Sequence, residues 1–554
     1  MMAGRQLKKS AAWRRQPQLV VTLITTMKKR HTRLHYAVLI GALFGAQPTT
    51  ETLGAEGTNA TGLQAPATGA TDTNTLEIIK QLQRRIEELE HKVQTLERGK
   101  APAEEPGEGK SNPQLQELDQ KVKILERQRE LDQEDQEAKA KEAPMISVGE
   151  DGFSFASAKG DFAMQLKGVL QVDSRTFFNE PGLGGNDSML LRRARPILQG
   201  TVFQDFDFLF VPDFAPNSGP TIFDAYVNYR YSPELQFQAG KLKTPFGLEQ
   251  LAQDRDILFN ERSLATDLVP NRDVGFELHG DLFDGRASYA VGILNGTTDG
   301  ANSANVDFAD DRAFAGRLFF QPLRRSSATA LRGFGFGLAG TYETMSATNT
   351  AGLPSNTGGS LPGYFTDGQQ QFFAYNPSDK AVVVAKDDHW RLSPQGYYYY
   401  GPFGLLGEYV ISDQEVTRTV VAPFDSAHLR NTAWDVTASW VLTGEDAAFA
   451  GGVVPRRPFN PREGSWGALQ LVGRYAELSI DRAAFPEFAD PTTSAGSAAA
   501  WSVGLNWYLN RNVMVKTSFS HTHFDGGGGA GSSAPATVTR NDENVLFTRI
   551  QIAF

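Results

Sequence analysis

Hydrophobic and polar residues alternate with a period of two through most of the chain beyond residue 160. In the segment 162–173, Met164 and Leu166 share one parity, whereas Gln165 and Gln171 share the other. Successive side chains of a β-strand point to opposite faces, so such a segment has one apolar and one polar face. The pattern recurs in many further segments and predicts an all-β domain.

Two of these segments add detail. In 223–231, Phe223 shares its parity with apolar Val227 and is expected on the apolar face. In the segment around Trp501 and Trp507, the two indoles lie six residues apart. That spacing places them near the two edges of an apolar band about 20 Å tall, as in a barrel that crosses a membrane.

The connections between these strands differ in length. Asn510–Asn512 is a short turn, whereas 346–395 and 522–543 are long and polar, and the chain ends in a strand with Ile552 and Phe554 on one face. Short turns at one end and long loops at the other are typical of outer-membrane barrels. We therefore predict a transmembrane β-barrel, with a soluble β-sandwich as the alternative.

Before the barrel, apolar residues follow a heptad spacing that predicts an α-helical coiled coil. A weaker second copy follows a Pro/Gly-rich break at 99–113 and fails where Arg129 and Asp132 take core positions. A single solvated helix is the alternative. The core positions of the first copy are Ile79, Leu82, Ile86, Leu89, Val93 and Leu96, and those of the second are Leu115, Leu118, Val122 and Leu125.

The N-terminus has the pattern of an export signal. Basic residues after Met27 precede the apolar run 36–46, which is too short for a membrane-spanning helix. The chain thus divides into 1–55, an extension and signal peptide; 56–74, a disordered linker; 75–142, the coiled-coil stalk; 143–159, a second linker; and 160–554, the barrel.

Composition supports this division. Only Trp13, Tyr36 and Phe44 represent the aromatic residues in the first 149 positions, so a core is expected only beyond them. Positions 150–554 carry 32 Lys and Arg against 44 Asp and Glu, which disfavours a nucleic-acid partner. Cysteine is absent, which excludes disulfides and thiolate metal sites.

We find no pattern that predicts catalysis, a cofactor or a metal. Glycines at 335–340 resemble a dinucleotide-binding loop, but the residues after them alternate as a strand. His521 and His523 lie one strand period apart beside a glycine-rich loop, where imidazoles are usually solvated. No nucleophile, base and orienting group stand close together in the sequence, so we predict that the protein is not an enzyme.

Several motifs of the barrel segment resemble one family, the phosphate-selective porins called porin O and P. They occur in the family's order and span the barrel. The resemblance implies about sixteen antiparallel strands, a homotrimer in outer-membrane lipid, and a third loop folded into each pore. The motifs are Leu191–Arg195, Ala239–Glu249, Asn260–Ser263, Asn271–Gly275, Leu442–Glu445 and Gly504–Tyr508.

Arginines are the candidate pore-lining residues. Arg193 and Arg195 share one face by parity and Arg192 takes the other, unless the step at Pro196 introduces a bulge. Guanidinium groups facing a lumen can bind phosphate-like oxygens with two hydrogen bonds each. Three further arginines share the polar parity of their strands: Arg230, Arg317 and Arg474.

The resemblance also implies an anion-binding constriction. It maps onto Arg192 and Arg193 of the barrel wall, with Asp224 facing them, and onto Arg255 and Arg262 of the segment after Pro245–Gly247. This chain departs from the phosphate-selective pattern, because Gln250 and Asp207 stand where that pattern has Lys, and Arg195 stands where it has Tyr. The segment 243–273 contains four basic and six acidic residues, so it is not net basic.

The sequence thus predicts an outer-membrane porin that passes anions, phosphate or polyphosphate in particular, through an arginine-lined pore. A general small-solute porin is one alternative. The other is a structural protein whose periplasmic coiled coil contacts the cell wall and whose barrel serves as its anchor.

Overall fold

The computed structural model describes residues 84, 91, 113–178, 185–216, 219–305, 312–346, 361–375, 383–418, 425–528 and 539–554. Apart from residues 84 and 91, the predicted signal peptide and first heptad run lie outside this part. Helix α1, Pro113–Glu142, covers the second heptad run and exposes Leu118 and Leu125. Among the described residues, no helix has the length and hydropathy that a membrane crossing requires.

Strands dominate the rest of the described chain. Short helical segments are α2, Leu248–Leu251, and 3₁₀ turns at Leu264–Leu268, Thr329–Leu331, Pro461–Glu463 and Arg482–Ala484. The strands are β1 Met145–Gly149, β2 Gly152–Ala156, β3 Ala163–Phe177, β4 Ser188–Val202, β5 Phe206–Asp213, β6 Thr221–Ser232, β7 Leu235–Lys243, β8 Arg272–Leu282, β9 Ala287–Leu294, β10 Ala313–Phe320, β11 Phe334–Ser346, β12 Gly363–Phe365, β13 Gln371–Ala374, β14 Val383–Tyr400, β15 Phe403–Arg418, β16 Ser426–Val441, β17 Ala468–Ser479, β18 Ala495–Tyr508, β19 Val513–Gly526 and β20 Glu543–Ala553.

Sixteen of these strands, β3 to β11 and β14 to β20, form a closed antiparallel barrel in the described chain. Each pairs with its neighbour in sequence, and β20 returns to pair with β3 from Val545↔Phe177 to Ala553↔Val169. Closure leaves no unpaired edge, which a sheet in lipid requires. The predicted barrel and its strand number are confirmed.

Burial along the barrel strands is the reverse of that in a soluble protein. On β3, apolar Leu170 and Val172 are 43% and 46% exposed, whereas polar Gln171 and Asp173 are buried. The same alternation continues on β18 and β20. An apolar outer face and a polar lumen are the arrangement of a transmembrane barrel.

Residues 143–159 differ from the predicted linker. Strands β1 and β2 form a hairpin there, and β2 pairs with β3 from Phe153↔Leu166 to Ala156↔Ala163. Strand β20 pairs only with the later part of β3, from Val169 onward. The first residues of β3 are therefore free to pair with β2. Beyond it, the C-terminal Phe554 exchanges two backbone hydrogen bonds with Gly168, both of 3.0 Å.

Most connections at one end of the barrel are short, and we call it the short-turn end. At the other end, the third connection, residues 244–271, folds into the lumen; we call it the inner loop. Its Leu264 and Leu268 are buried. The expectation of a folded-in third loop is thereby confirmed.

Two further segments enter the lumen and were not predicted to do so. Strands β12 and β13 form a hairpin whose Tyr364 and Phe373 rings stack 5.4 Å apart and are fully buried. At the short-turn end, the connection 442–467 places Phe449 on Tyr397, with ring centroids 4.9 Å apart. Both segments carry aromatic residues, which favour burial. Their composition is otherwise typical of loops, so the sequence did not indicate that they enter the lumen.

Candidate functional site

The inner loop is fixed to the barrel wall by hydrogen bonds to its backbone. Glu408 of β15 accepts from the N–H groups of Leu248 and Glu249, at 2.8 and 3.1 Å. Asn506 of β18 donates to the carbonyl of Leu258 at 2.9 Å. Buried backbone N–H and C=O groups need hydrogen-bond partners. The irregular inner loop has few within itself, and polar side chains on the inner face of the barrel provide them.

On the side of β3, β4 and β20, charged residues of the wall meet carboxylates of the inner loop. We call this group the arginine cluster. Its ten members are Arg175, Arg192, Arg193, Arg195, Arg262, Arg549, Asp173, Asp213, Asp254 and Glu261.

Glu261 of the inner loop is the centre of one half of the cluster. Arg192 binds it with two hydrogen bonds, of 2.6 and 2.9 Å, and Arg175 donates to it at 3.2 Å. Arg549 of β20 lies 3.5 Å from the same carboxylate and binds Asp173 at 2.6 and 2.7 Å. Bidentate pairs of this kind are strong and directional.

Asp254 is the centre of the other half. Arg262 lies 2.8 Å from its carboxylate, Arg193 lies 3.5 Å away, and Arg195 pairs with it as well. Arg195 also binds Asp213 at 2.6 Å. The cluster therefore holds the inner loop to β3, β4 and β20 through charge pairs, in addition to the backbone contacts.

The arginines raise the acidity of both loop carboxylates. Burial disfavours the ionised form of Asp254, but four guanidinium groups, led by Arg193, outweigh it and hold the pKa well below its usual range. Glu261 is likewise buried, and Arg192 is the main cause that holds its pKa below the usual range. Both carboxylates are therefore ionised at neutral pH.

A β-bulge brings three candidate arginines of β4 to the lumen. The β3–β4 register shifts between Gln171↔Arg193 and Val172↔Leu191, which leaves Arg192 unpaired. The bulge is thus at Arg192 and not at the Pro196 step that the sequence suggested. Because it resets the alternation, Arg192, Arg193 and Arg195 all turn inward.

A second bulge reverses the predicted direction of Phe223. The β5–β6 register skips this residue between Val211↔Asp224 and Pro212↔Ile222. Its ring therefore lies between two guanidinium groups, those of Arg195 and Arg272, each 3.5 Å from the ring centroid. Cation–π contacts of this kind separate like charges that would otherwise repel.

Other predicted site residues have different partners from those expected. Asp224 binds Arg272 at 3.0 Å and not the Arg192–Arg193 pair, because Arg272 at the start of β8 lies on the same wall, with only β7 between them. Arg230 lies exposed near the short-turn end, 2.9 Å from Asp207.

The remaining candidates lie at three separate places. Arg474 of β17 is buried and binds Asp367 at 2.9 Å. Arg255 lies 3.6 Å from Asp256, and its side chain is 37% exposed. Arg317 of β10 lies away from the arginine cluster and donates to Gln395 at 3.0 Å. The sequence reading missed Arg175 and Arg549, although their polar parity marked both as inward-facing.

Comparison with known proteins gives a family match. The model of the family described as "phosphate-selective porin O and P" matches residues 164–554. Comparison with curated proteins gave no match.

Solved porin structures are similar over most of this chain at low identity. An anion-selective porin from Comamonas acidovorans has 10% identity and a TM-score of 0.43, over 71% of this chain and all of that one. The outer membrane channel DcaP of Acinetobacter baumannii has 10% identity and a TM-score of 0.44, over 72% and 98%. Outer-membrane expressed OmpT of Vibrio cholerae has 9% identity and a TM-score of 0.41, over 71% and 98%.

The family match extends from the first barrel strand to the last residue, and therefore covers the closed barrel and all of its inner segments. The chain belongs to the phosphate-selective porin O and P family, and it is an outer-membrane porin.

Proposed function

We propose that the protein passes small anions, phosphate among them, by diffusion, and that the arginine cluster provides the preference for anions. The observation that carries this proposal is the charge of the cluster, which contains six arginines and only four carboxylates. Such an excess of positive charge in a narrow, partly dehydrated lumen raises the local concentration of anions.

Unpaired donors in the cluster support the same proposal. Arg175 Nε, Arg193 Nε and Arg549 Nη1 are buried and have no acceptor among protein atoms. Their charge adds to the positive potential of the lumen, whereas contact with an oxyanion is made by the more exposed guanidinium groups. A partly paired cluster also meets the requirement that an anion bind weakly enough to leave.

Two guanidinium groups are the proposed points of contact with solutes in the lumen. The side chain of Arg192 is 27% exposed and that of Arg255 is 37% exposed, whereas Arg193 and Arg195 are buried. We infer that Arg192 and Arg255 meet the solute, while Arg193, Arg195, Arg262 and Arg474 chiefly fix the inner loop and the other inner segments. Arg230 and Arg317 lie outside this contact.

Two observations favour a second candidate function, that of a general small-solute porin without a preference for phosphate. The four carboxylates of the cluster neutralise most of its positive charge, and the inner loop is not net basic. A general small-solute porin has this balance as well. The two candidates differ in phosphate binding, which only the first requires.

We also propose a homotrimer in outer-membrane lipid, with the N-terminal stalk in the periplasm. The heptad run at 79–96 and the exposed apolar residues of α1 support association of the stalk. Contact of the stalk with the cell wall remains the structural alternative. Deletion of 74–142 tests it, since a porin conducts without the stalk and a tether loses envelope cohesion.

The test of the proposed function is block of the chloride current by phosphate. The refolded protein is inserted in planar bilayers, and current is measured as inorganic phosphate is added. We expect a saturable decrease in current that Arg192→Gln weakens and that the exposed control Arg325→Gln does not change. A chloride current that phosphate leaves unaffected would assign the general small-solute function.

A further inference from the structure

A cavity lies on the opposite wall of the barrel, along β7 to β10 near the short-turn end. Its volume is about 210 Å³, and Pro245 and Leu251 of the inner loop close it on one side. We call it the wall cavity. Pockets for drug-sized ligands begin at about 300 Å³, so this space suits a smaller organic solute.

Arg317 is the cation of the wall cavity. Its Nε donates to Gln395 at 3.0 Å, and its guanidinium lies 4.6 Å from the centroid of Phe319. Among arginines on the inner faces of the described strands, it alone has no carboxylate within ion-pair distance. Its two terminal nitrogens are therefore available to a solute.

Glu277 of β8 supplies the carboxyl group of the wall cavity. It lines the same cavity and is 9% exposed. No described residue forms a hydrogen bond or an ion pair with its carboxylate. This contrasts with Asp254 and Glu261 across the lumen, each of which binds several arginines.

The other polar residues of the cavity already have partners or lie at its edge. Lys243 donates to three backbone carbonyls of the inner loop, at 2.7 to 3.1 Å. His279 Nε2 lies 3.0 Å from the Asn228 side chain. Asp281 is exposed beside the short-turn end. Inside the cavity, the two terminal nitrogens of Arg317 and the carboxyl group of Glu277 thus remain without a partner among the described residues.

The strand register fixes how far apart these charges are. Arg317 lies across from Ala290, and Glu277 lies across from Gly292, so β9 separates them and they differ by two positions along the strands. Strand spacing and rise then give about 12 Å between their Cα atoms. Ala290 and Gly292 are small, so the wall between the two charges leaves room for a solute.

We propose that the wall cavity binds a small zwitterion, a solute with one carboxylate and one ammonium group such as a free α-amino acid. The carboxylate binds Arg317, and the ammonium group binds Glu277. The inference rests on the chain being a channel and not on the anion preference proposed above, because the arginine cluster lies on the other wall.

The two unpaired charges select against simple ions. An anion at Arg317 leaves the nearby Glu277 carboxylate without a partner, and a cation at Glu277 leaves Arg317 without one. Buried charges lacking a partner are costly, so a solute that satisfies both has the advantage. Each contact is a charge-assisted hydrogen bond.

The test measures how L-alanine affects the chloride current of the refolded protein in planar bilayers. We expect a saturable decrease in current, with acetate and ethylammonium much weaker at the same concentration. Arg317→Gln and Glu277→Gln should each weaken the effect of alanine about tenfold, the size expected for one charge-assisted hydrogen bond.

Matched controls remove equal charges from an exposed pair. Arg325 and Asp284 lie 2.7 Å apart near the same end of the barrel, and both side chains are more than half exposed. Arg325→Gln and Asp284→Asn should respond to alanine as the wild type does. The double reversal R317E/E277R should recover part of the alanine effect, because the zwitterion can bind in the opposite direction.

Several outcomes would overturn the inference. Alanine without effect on the wild-type channel is one of them. Acetate as effective as alanine would indicate an anion site, and ethylammonium as effective as alanine would indicate a cation site. Phosphate block is measured in the same membranes, so a channel that phosphate blocks but alanine does not would refute this inference alone.

Discussion

The two walls of the lumen use charge in different ways. Along β3, β4 and β20, arginines bind carboxylates of the inner loop, and most of these side chains are buried. Along β7 to β10, Arg317 and Glu277 line a cavity, and neither forms an ion pair in the described part of the chain. Most charges on the first wall hold the inner loop in place and only Arg192 among them is exposed to solutes, whereas Arg317 and Glu277 on the second wall have no ion-pair partner.

The largest expected effect is on the free energy of unfolding, when a glutamate that binds the first wall, Glu261, and a glutamate of the second wall, Glu277, are each replaced by glutamine. Glu261→Gln removes a carboxylate from the partly exposed Arg192 and from the buried Arg175 and Arg549, and loss of one partner from such an ion-pair network costs about 3–5 kcal/mol. Glu277→Gln breaks no ion pair and should change the free energy of unfolding by less than about 1 kcal/mol. Urea unfolding from lipid vesicles measures both.

Equal destabilisation by the two substitutions would contradict the comparison, because it would mean that Glu277 has a stabilising partner. The exposed Glu463 provides a control, and Glu463→Gln should behave as the wild type. A raised conductance in Glu261→Gln would additionally indicate that the inner loop has left the wall.

A smaller effect is expected at Phe223, the ring between Arg195 and Arg272. Phe223→Leu keeps the apolar volume but removes both cation–π contacts, which should cost about 1–2 kcal/mol. Phe314→Leu on the lipid-facing side of β10 is the control and should cost less. Equal costs in urea unfolding would show that the ring acts only by filling space.

The smallest expected effect is that of pH on the free energy of unfolding. The pKa of Glu261 is held below its usual range in the folded protein, so its contribution to stability is present above the unfolded pKa of about 4. That contribution is lost as the pH falls through the lower, folded value. The difference in unfolding free energy between wild type and Glu261→Gln should therefore stay constant from pH 7 to 5. A difference that shrinks in this range would contradict the assigned ion pairs.

Period-two alternation predicted the barrel, because the direction of a strand residue depends only on its parity. Terminal Phe554 and the tryptophans of β18 supported the membrane assignment, because their positions along a single strand also follow from parity. The inward direction of Arg474 followed from parity too. These features needed no knowledge of distant contacts.

Two kinds of feature could not be predicted. The bulges at Arg192 and Phe223 reset parity, and a single extra residue leaves no clear signal in composition. The partners of the arginines come from far along the chain, as with Arg192 and Glu261, and depend on where the inner loop folds. Asp224 shows the consequence, since its partner Arg272 was not among the candidates.

The most direct test of the central claim is the reversal potential of the refolded channel in a KCl gradient. We predict anion preference for the wild type and for the control Arg325→Gln. Arg192→Gln combined with Arg255→Gln should move the potential toward zero, and Arg255→Gln alone should move it part of the way without loss of the Glu261 pair. A wild-type channel that prefers cations, or variants with the wild-type potential, would contradict the claim that Arg192 of the arginine cluster and Arg255 of the inner loop select the solute.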